Sequence, residues 1–273
     1  MRILIPTDFS ENARAAIDYA FKIFGTAGVE YHIVNVYSEP HTSADMLVSI
    51  VDLLEKESKS DLNKEVDSLR ANYPDRDLNL VQHSVYGSLS TVLEKIVSES
   101  DVKFEYIVMG TTGASGLKKV FLGSNASDVL KKRIAPTLVV PPSARKDLSQ
   151  ILVGFDATEL NGTNLLQPLL SLINKHKSEI KFAHVSESKK VTKEFAANAG
   201  AKLDPVFKET GYEFLNIQNE SIANGILDHA HHTKADLLVM IYRQHNFFER
   251  LFKESQTQKM AMMTDVPLLV IPE

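Results

Sequence analysis

Short apolar runs along the chain alternate with longer stretches in which apolar residues recur every three or four positions. The runs Ile3–Thr7, Tyr31–Tyr37, Leu78–Val85, Glu105–Met109 and Thr137–Val140 read as strands. Residues 10–24 read as a helix. Ala13, Ala16, Ile17, Ala20, Phe21 and Phe24 share one face, and Ser10 stands where an N-cap belongs. Leu89, Val92, Leu93, Ile96 and Val97 give a later helix the same stripe, and a long helix is expected around residues 43–72. Strands alternating with helices imply right-handed crossovers and a parallel sheet with helices on both faces.

The order then repeats. Ile151–Asp156 matches Ile3–Asp8, and both runs end on aspartate. Ala235–Met240 matches Phe104–Met109, and Val266–Pro272 matches Ala135–Pro141, both at an offset of 131 residues without a gap. Three matches in one order indicate duplication. The segment Pro141–Asp147 has linker composition, which divides the chain into domains 1–145 and 146–273. The expected fold class is α/β: two tandem, open, parallel five-stranded sheets. The second half is shorter, mainly where the first has its long second helix.

Bulk properties narrow the function classes. A chain of 273 residues with 44% hydrophobic and 24% charged residues has the composition of a soluble globular protein, and each half can bury its own core. The net charge of -5 disfavours nucleic acid and anionic membranes as partners. The absence of cysteine excludes disulfides and thiolate metal sites. No apolar run approaches the ~20 residues of a membrane span, and the Met1–Pro6 start is too short for a signal peptide. A cytoplasmic location is expected.

One motif carries chemistry. The fourth strand runs into Met109-Gly110-Thr111-Thr112-Gly113-Ala114-Ser115-Gly116, and Gly123-Ser124-Asn125 then precedes a helical stretch. Glycines let a backbone approach a ligand closely, and a helix start favours an anion. Open parallel sheets bind ligands beyond the carboxyl ends of their strands, where Asp8 and Gly110 fall. A phosphorylated nucleotide fits best. The chain lacks GxxxxGK[ST], and GxGxxG does not follow its first strand, which argues against Walker A and dinucleotide sites.

Gly110-x2-Gly113-x9-Gly123-Ser124 resembles the glycine signature of ATP-binding universal stress proteins, as do Ser115–Lys119 and Pro136–Val140. With the repeat, nearly the whole chain is similar to a tandem, UspA-like member of that family, with a Rossmann-like, HUP-type fold. The resemblance implies ATP as the ligand of the first half. Asp8 would lie near the nucleoside, walled by Pro6 and Thr7, and Val36 would offer backbone hydrogen bonds to adenine. Gly110 would lie by the ribose, with Met109 before it in the matched string. Gly113, Gly123, Ser124 and Asn125 would surround the phosphates, and Asp8 could help to hold Mg2+ there. Thr112 and Ala114 stand where many members have histidine and arginine.

The second half breaks the signature. At the same offset Gly110 becomes Ile241, Gly113 becomes Gln244 and Gly123 becomes Glu254, and only the serine survives, as Ser255. Glu254 sets a negative charge beside the expected phosphate position. Asp156 persists without the rest of a nucleotide site. His229, His231 and His232 are solvated surface histidines or, in a sharper reading, part of a zinc site. Arg243, His245 and Arg250 read as a solvated loop or an anion site, and Phe247, Phe248, Leu251 and Phe252 as packing over a closed site or a partner surface. No catalytic set such as GxSxG or Ser-His-Asp is evident. The expected function is an ATP-binding sensor or regulator with one nucleotide, in the first half. A slow ATPase or phosphotransferase and a ligand-free scaffold are the alternatives. The family resemblance and the need to protect apolar sheet edges imply that Thr137–Val140 pairs antiparallel with Leu268–Ile271. The chain would then be an intramolecular pseudo-dimer, open to further homodimerisation.

Overall fold

A computed structural model describes residues 1–39, 47–74, 77–111, 122–154, 164–186, 193–242 and 266–272. The chain forms two compact units, one comprising Met1–Lys118 and Leu122–Pro142 and the other Ser143–Glu273. In the first unit the elements run β1 (Arg2–Pro6), α1 (Glu11–Phe24), β2 (Glu30–Tyr37), α2 (Leu47–Asn72), β3 (Asn79–Tyr86), α3 (Leu89–Ser98), β4 (Tyr106–Gly110), α4 (Ser124–Lys132) and β5 (Thr137–Val140). All strand pairs within the unit are parallel, in the order β3-β2-β1-β4-β5. The order reverses at β1, which lies between β2 and β4, so a crevice opens above the carboxyl ends of these strands.

Local chemistry explains the elements. Ser10, in extended conformation, caps α1 by accepting from the Ala13 N–H at 3.2 Å, and Gly25 ends the helix at φ 74° with its N–H on the Phe21 carbonyl. The predicted face of α1 is the buried one: Ala13, Ala16, Ile17, Ala20, Phe21 and Phe24 are all buried. Removing side chains the size of Ile17 and Phe21 from water stabilises the unit by about 1.5–3 kcal/mol each. Ile3, Leu4 and Ile5 are buried in succession, as expected for a central parallel strand covered on both faces. β1 ends one residue earlier than the sequence pattern suggests. The Thr7 N–H still donates to the Val34 carbonyl, but its own carbonyl accepts from the Asn35 side chain at 2.8 Å, and Phe9 then turns the chain at φ 63°.

The second unit repeats the pattern: β6 (Gln150–Gly154), α5 (Gln167–His176), β7 (Glu179–Ser186), α6 (Lys193–Phe207), β8 (Glu213–Gln218), α7 (Ile222–Thr233), β9 (Leu237–Tyr242) and β10 (Leu268–Pro272). Its parallel order, β8-β7-β6-β9-β10, is that of the first unit. α6 has 15 residues against 26 in α2, which accounts for most of the shorter second half. Each unit is therefore an open, parallel, five-stranded α/β fold. Among the described residues no helix is long and apolar enough to cross a membrane.

Candidate functional site

A cleft of about 500 Å³ lies at the reversal point of the first sheet. Pro6, Thr7 and Asp8 reach it from the end of β1, Val36 from β2, Met109 and Gly110 from β4, and Gly123, Ser124 and Asn125 from the start of α4. Nine of the ten residues expected from the sequence thus share one wall system, although they come from four separate segments. The tenth, Gly113, lies outside the described residues, as do Thr112, Ala114 and Ser115–Lys119.

The loop after β1 is held by its own side chains. Thr7 Oγ1 accepts from the Phe9 N–H at 3.0 Å, and Asp8 Oδ1 accepts from the Ser10 N–H at 3.1 Å. Asp8 is the sole charged side chain among the described lining residues. The described lining therefore offers an anion N–H groups and hydroxyls, and no side-chain cation.

Gly110 has a packing reason to be glycine. A Cβ there would lie 3.0 Å from the Asn12 carbonyl oxygen and 3.2 Å from its carbon, both backbone atoms of the first turn of α1. Gly123 is different: it sits at the N-cap of α4 in extended conformation (φ -60°, ψ 161°). Its N–H donates to the Thr111 carbonyl at 2.6 Å, and it supplies no capping side chain. The first turn of α4 carries no acidic residue, and its N–H groups have no partner within the helix. Their partial positive charge faces the cleft.

Sequence reasoning missed several lining residues: Ala13, Ser38, Gly87, Ser88, Leu89, Thr111 and Ala126. Gly87 turns the chain at φ 143°, and that turn also forms cleft wall. Thr111 is the most informative. Its N–H donates to the Val140 carbonyl and its carbonyl accepts from Gly123, so it ties the ends of β4 and β5 to α4. Among the described residues its buried hydroxyl has no hydrogen-bond partner, although the residue lines the cleft. Buried polar groups are nearly always satisfied, so this one is an oxygen in need of a partner.

The segments that follow β6 and β9 in the second unit lie largely outside the described residues. Gly154 stands where the first unit has Pro6, and a Cβ added there would collide with the Met240 sulfur and lie 2.8 Å from Ile226 Cδ1. These two side chains pack against the Gly154 backbone. Ile241, with its side chain, takes the position of Gly110 on β9. Asp156, Arg243, Gln244, His245, Phe247, Phe248, Arg250, Leu251, Phe252, Glu254 and Ser255 lie outside the described residues. On α7, His229 is half-buried while His231 and His232 are exposed. Burial, then the nearby Lys181 and His232, hold the His229 imidazole below its ordinary range. Among the described residues no group of three or more His, Asp or Glu side chains could hold a metal ion.

Two sheets of one topology, with a glycine-walled cleft at the reversal point of the first, define a Rossmann-like α/β architecture. The sequence profile of the universal stress protein family matches residues 1–141 and again 148–272. The chain belongs to the universal stress protein family and carries two copies of its domain. It is 30% identical over 154 residues to universal stress protein MJ0577 of Methanocaldococcus jannaschii, a match spanning 51% of this chain and 93% of that protein. A second relative from the same organism, universal stress protein MJ0531, is 28% identical over 142 residues, spanning 51% of this chain and 81% of that protein. The crystal structure of a universal stress protein from Archaeoglobus fulgidus covers 100% of this chain and 96% of its own at a TM-score of 0.70 and 20% identity, a likeness of fold.

Proposed function

We propose that the first unit binds one ATP and that the protein acts as a cytoplasmic nucleotide-dependent regulator in the stress response. The observation that carries this reading is the pairing of an uncapped α4 N-terminus with the orphaned Thr111 hydroxyl in one cleft. Both can donate hydrogen bonds and have no side-chain acceptor among the described residues, and a phosphate supplies acceptor oxygens. Adenine would lie towards Val36, the ribose beside Asp8, Met109 and Gly110, and the phosphates against Gly123, Ser124 and Asn125, with Gly113 completing the loop. Mg2+ would lie on the phosphates near Asp8. The same reading gives the second unit no nucleotide, since Ile241, Gln244 and Glu254 replace the signature glycines there. The described lining holds no histidine, lysine or second carboxylate, which favours binding over catalysis.

Mass spectrometry of small molecules released from freshly purified protein tests the proposal. ATP or ADP approaching one equivalent per chain is the expected result. A chain that releases no nucleotide and gives no heat with added ATP would be a scaffold instead. NADH that binds tightly and displaces ATP would refute the choice of ligand. We also infer that the edges Thr137–Val140 and Leu268–Ile271 pair within the chain, since each would otherwise present unpaired N–H and C=O groups.

A further inference from the structure

Away from the cleft, four side chains form a continuous hydrogen-bonded chain across β1, β2 and β3. Arg2 Nε lies 2.6 Å from Glu30 Oε1, which lies 2.8 Å from His32 Nε2, and His32 Nδ1 lies 2.8 Å from His83 Nε2. His32 is 8% exposed, and its ring meets Phe104 edge-on at 4.7 Å. Asn79 Nδ2 reaches the other Glu30 oxygen at 3.4 Å, and Arg2 Nη1 reaches Ser100 Oγ at 3.3 Å. Glu30 accepts from His32, so His32 Nε2 carries a proton and its neutral Nδ1 must accept. His83 Nε2–H is then the donor. A first added proton goes to the outer His83 Nδ1 or, by transfer along the bond, leaves His32 charged beside Glu30, and the bond survives. A second proton leaves an N–H on each of the two facing nitrogens, and the bond cannot form.

We propose that Arg2, Glu30, His32 and His83 form a proton-responsive latch that holds the edge strand β3 to β2 at neutral pH and releases it when both imidazoles are charged. β3 is the outermost strand of its sheet, with no fully buried residue, and β2 is the one described strand it pairs with. The groups facing the pair are Arg2 from β1, Glu30 from β2, Asn79 from β3, and Ser100 and Phe104 from the segment after α3. Burial first, and His32 second, hold the His83 imidazole below its ordinary range. Its stabilising effect is therefore full above the ordinary histidine pKa of about 6.5 and is lost as pH falls below it. The His32 and His83 ring centroids are 5.0 Å apart, where repulsion between two charges in a medium of effective dielectric constant about 20 is worth more than about tenfold in population.

β3 ends at Gly87, whose N–H donates to the Tyr37 carbonyl, and Gly87, Ser88 and Leu89 wall the cleft. If the cleft holds a nucleotide, as proposed above, acid loosens its grip, and this one consequence rests on that reading. The latch is tested without nucleotide, by hydrogen exchange of the full chain at pH 7.5 and 5.0, corrected for intrinsic rates. Protection of residues 79–86 should fall about tenfold or more relative to residues 2–6 in the wild type. His83→Gln keeps a donor to His32 but cannot titrate, so it should stay protected at both pH values. Equal losses in both proteins, or no loss in the wild type, overturn the latch. If His83→Gln fails to fold, imidazole 15N NMR of the wild type decides. Two separated proton uptakes by the pair support the latch, and two independent, ordinary titrations overturn it.

Discussion

Replacing Thr111 by valine should move stability and binding in opposite directions. Valine matches the shape of threonine but removes the hydroxyl, which is buried with no partner among the described residues. A buried unsatisfied polar group costs about 1–3 kcal/mol, so the nucleotide-free protein should gain about 1 kcal/mol once side-chain relaxation takes its share. For a unit of this size that raises the melting temperature by about 3 °C. The backbone bonds of Thr111 to Val140 and Gly123 do not involve the side chain and should survive. If the hydroxyl donates to a phosphate in the complex, valine forfeits a hydrogen bond to a charged group, worth about 1.5–3 kcal/mol, or about 10- to 150-fold in Kd. Differential scanning calorimetry without nucleotide and titration calorimetry with ATP measure the two effects separately. A valine variant that melts lower than wild type and binds ATP equally well would refute the reasoning, because the hydroxyl would then have neither an unmet need nor a ligand.

Other outcomes follow from single contacts. Gly110→Ala should destabilise the first unit by about 1 kcal/mol in urea unfolding. Overpacking against the Asn12 backbone costs about 1–3 kcal/mol, and the stiffer unfolded chain returns about 0.4–1. Asp236, 3% exposed, accepts from the Ser149 and Gln150 N–H groups at 2.9 and 3.0 Å and lies 3.2 Å from Arg145, so Asp236→Ala should lower the stability of the second unit by about 3 kcal/mol in calorimetry. Burial, then the hydrogen bond to Asp204, push the Tyr212 phenol up to about 12. The folded state thus holds this proton more tightly than the unfolded one. The resulting stability is full below the ordinary tyrosine pKa of about 10 and fades between there and pH 12, which titration of Tyr212→Phe against wild type at 295 nm should resolve. An isolated fragment 1–145 should dimerise or aggregate through the freed edge at Thr137–Val140. A fragment that stays monomeric with full amide protection at Leu138 and Val139 would count against the pairing.

The sequence was most legible where local and tertiary demands coincide. The stripe of α1 and its Ser10 cap are properties of the segment itself, and the structure buries that face. The 131-residue offset also survives folding, since β4 and β9 start at Tyr106 and Leu237, and β5 and β10 at Thr137 and Leu268. The gathering of Asp8, Gly110 and Ser124 at one cleft was readable through the position of each at a strand or helix end, while Val36 came from the family resemblance. What stayed hidden depends on contacts between distant segments. Gly110 reads as a ligand glycine, yet the close approach of the Asn12 backbone gives it a packing reason as well. Thr111 is one threonine in a run, and its unmet hydroxyl exists only after β4, β5 and α4 come together. His32 and His83 meet because parallel register sets His32 beside Val81 and His83 beside Val34, a diagonal that no local pattern encodes.

The central claim is one nucleotide per chain, held by the first unit. Titration calorimetry of the full chain with ATP, on wild type and on Gly123→Val, tests it most directly, since a branched side chain at position 123 would occupy phosphate space at the start of α4. The account predicts a single site in the wild type and none in the variant. Two equivalent sites, or unchanged affinity in Gly123→Val, would contradict it.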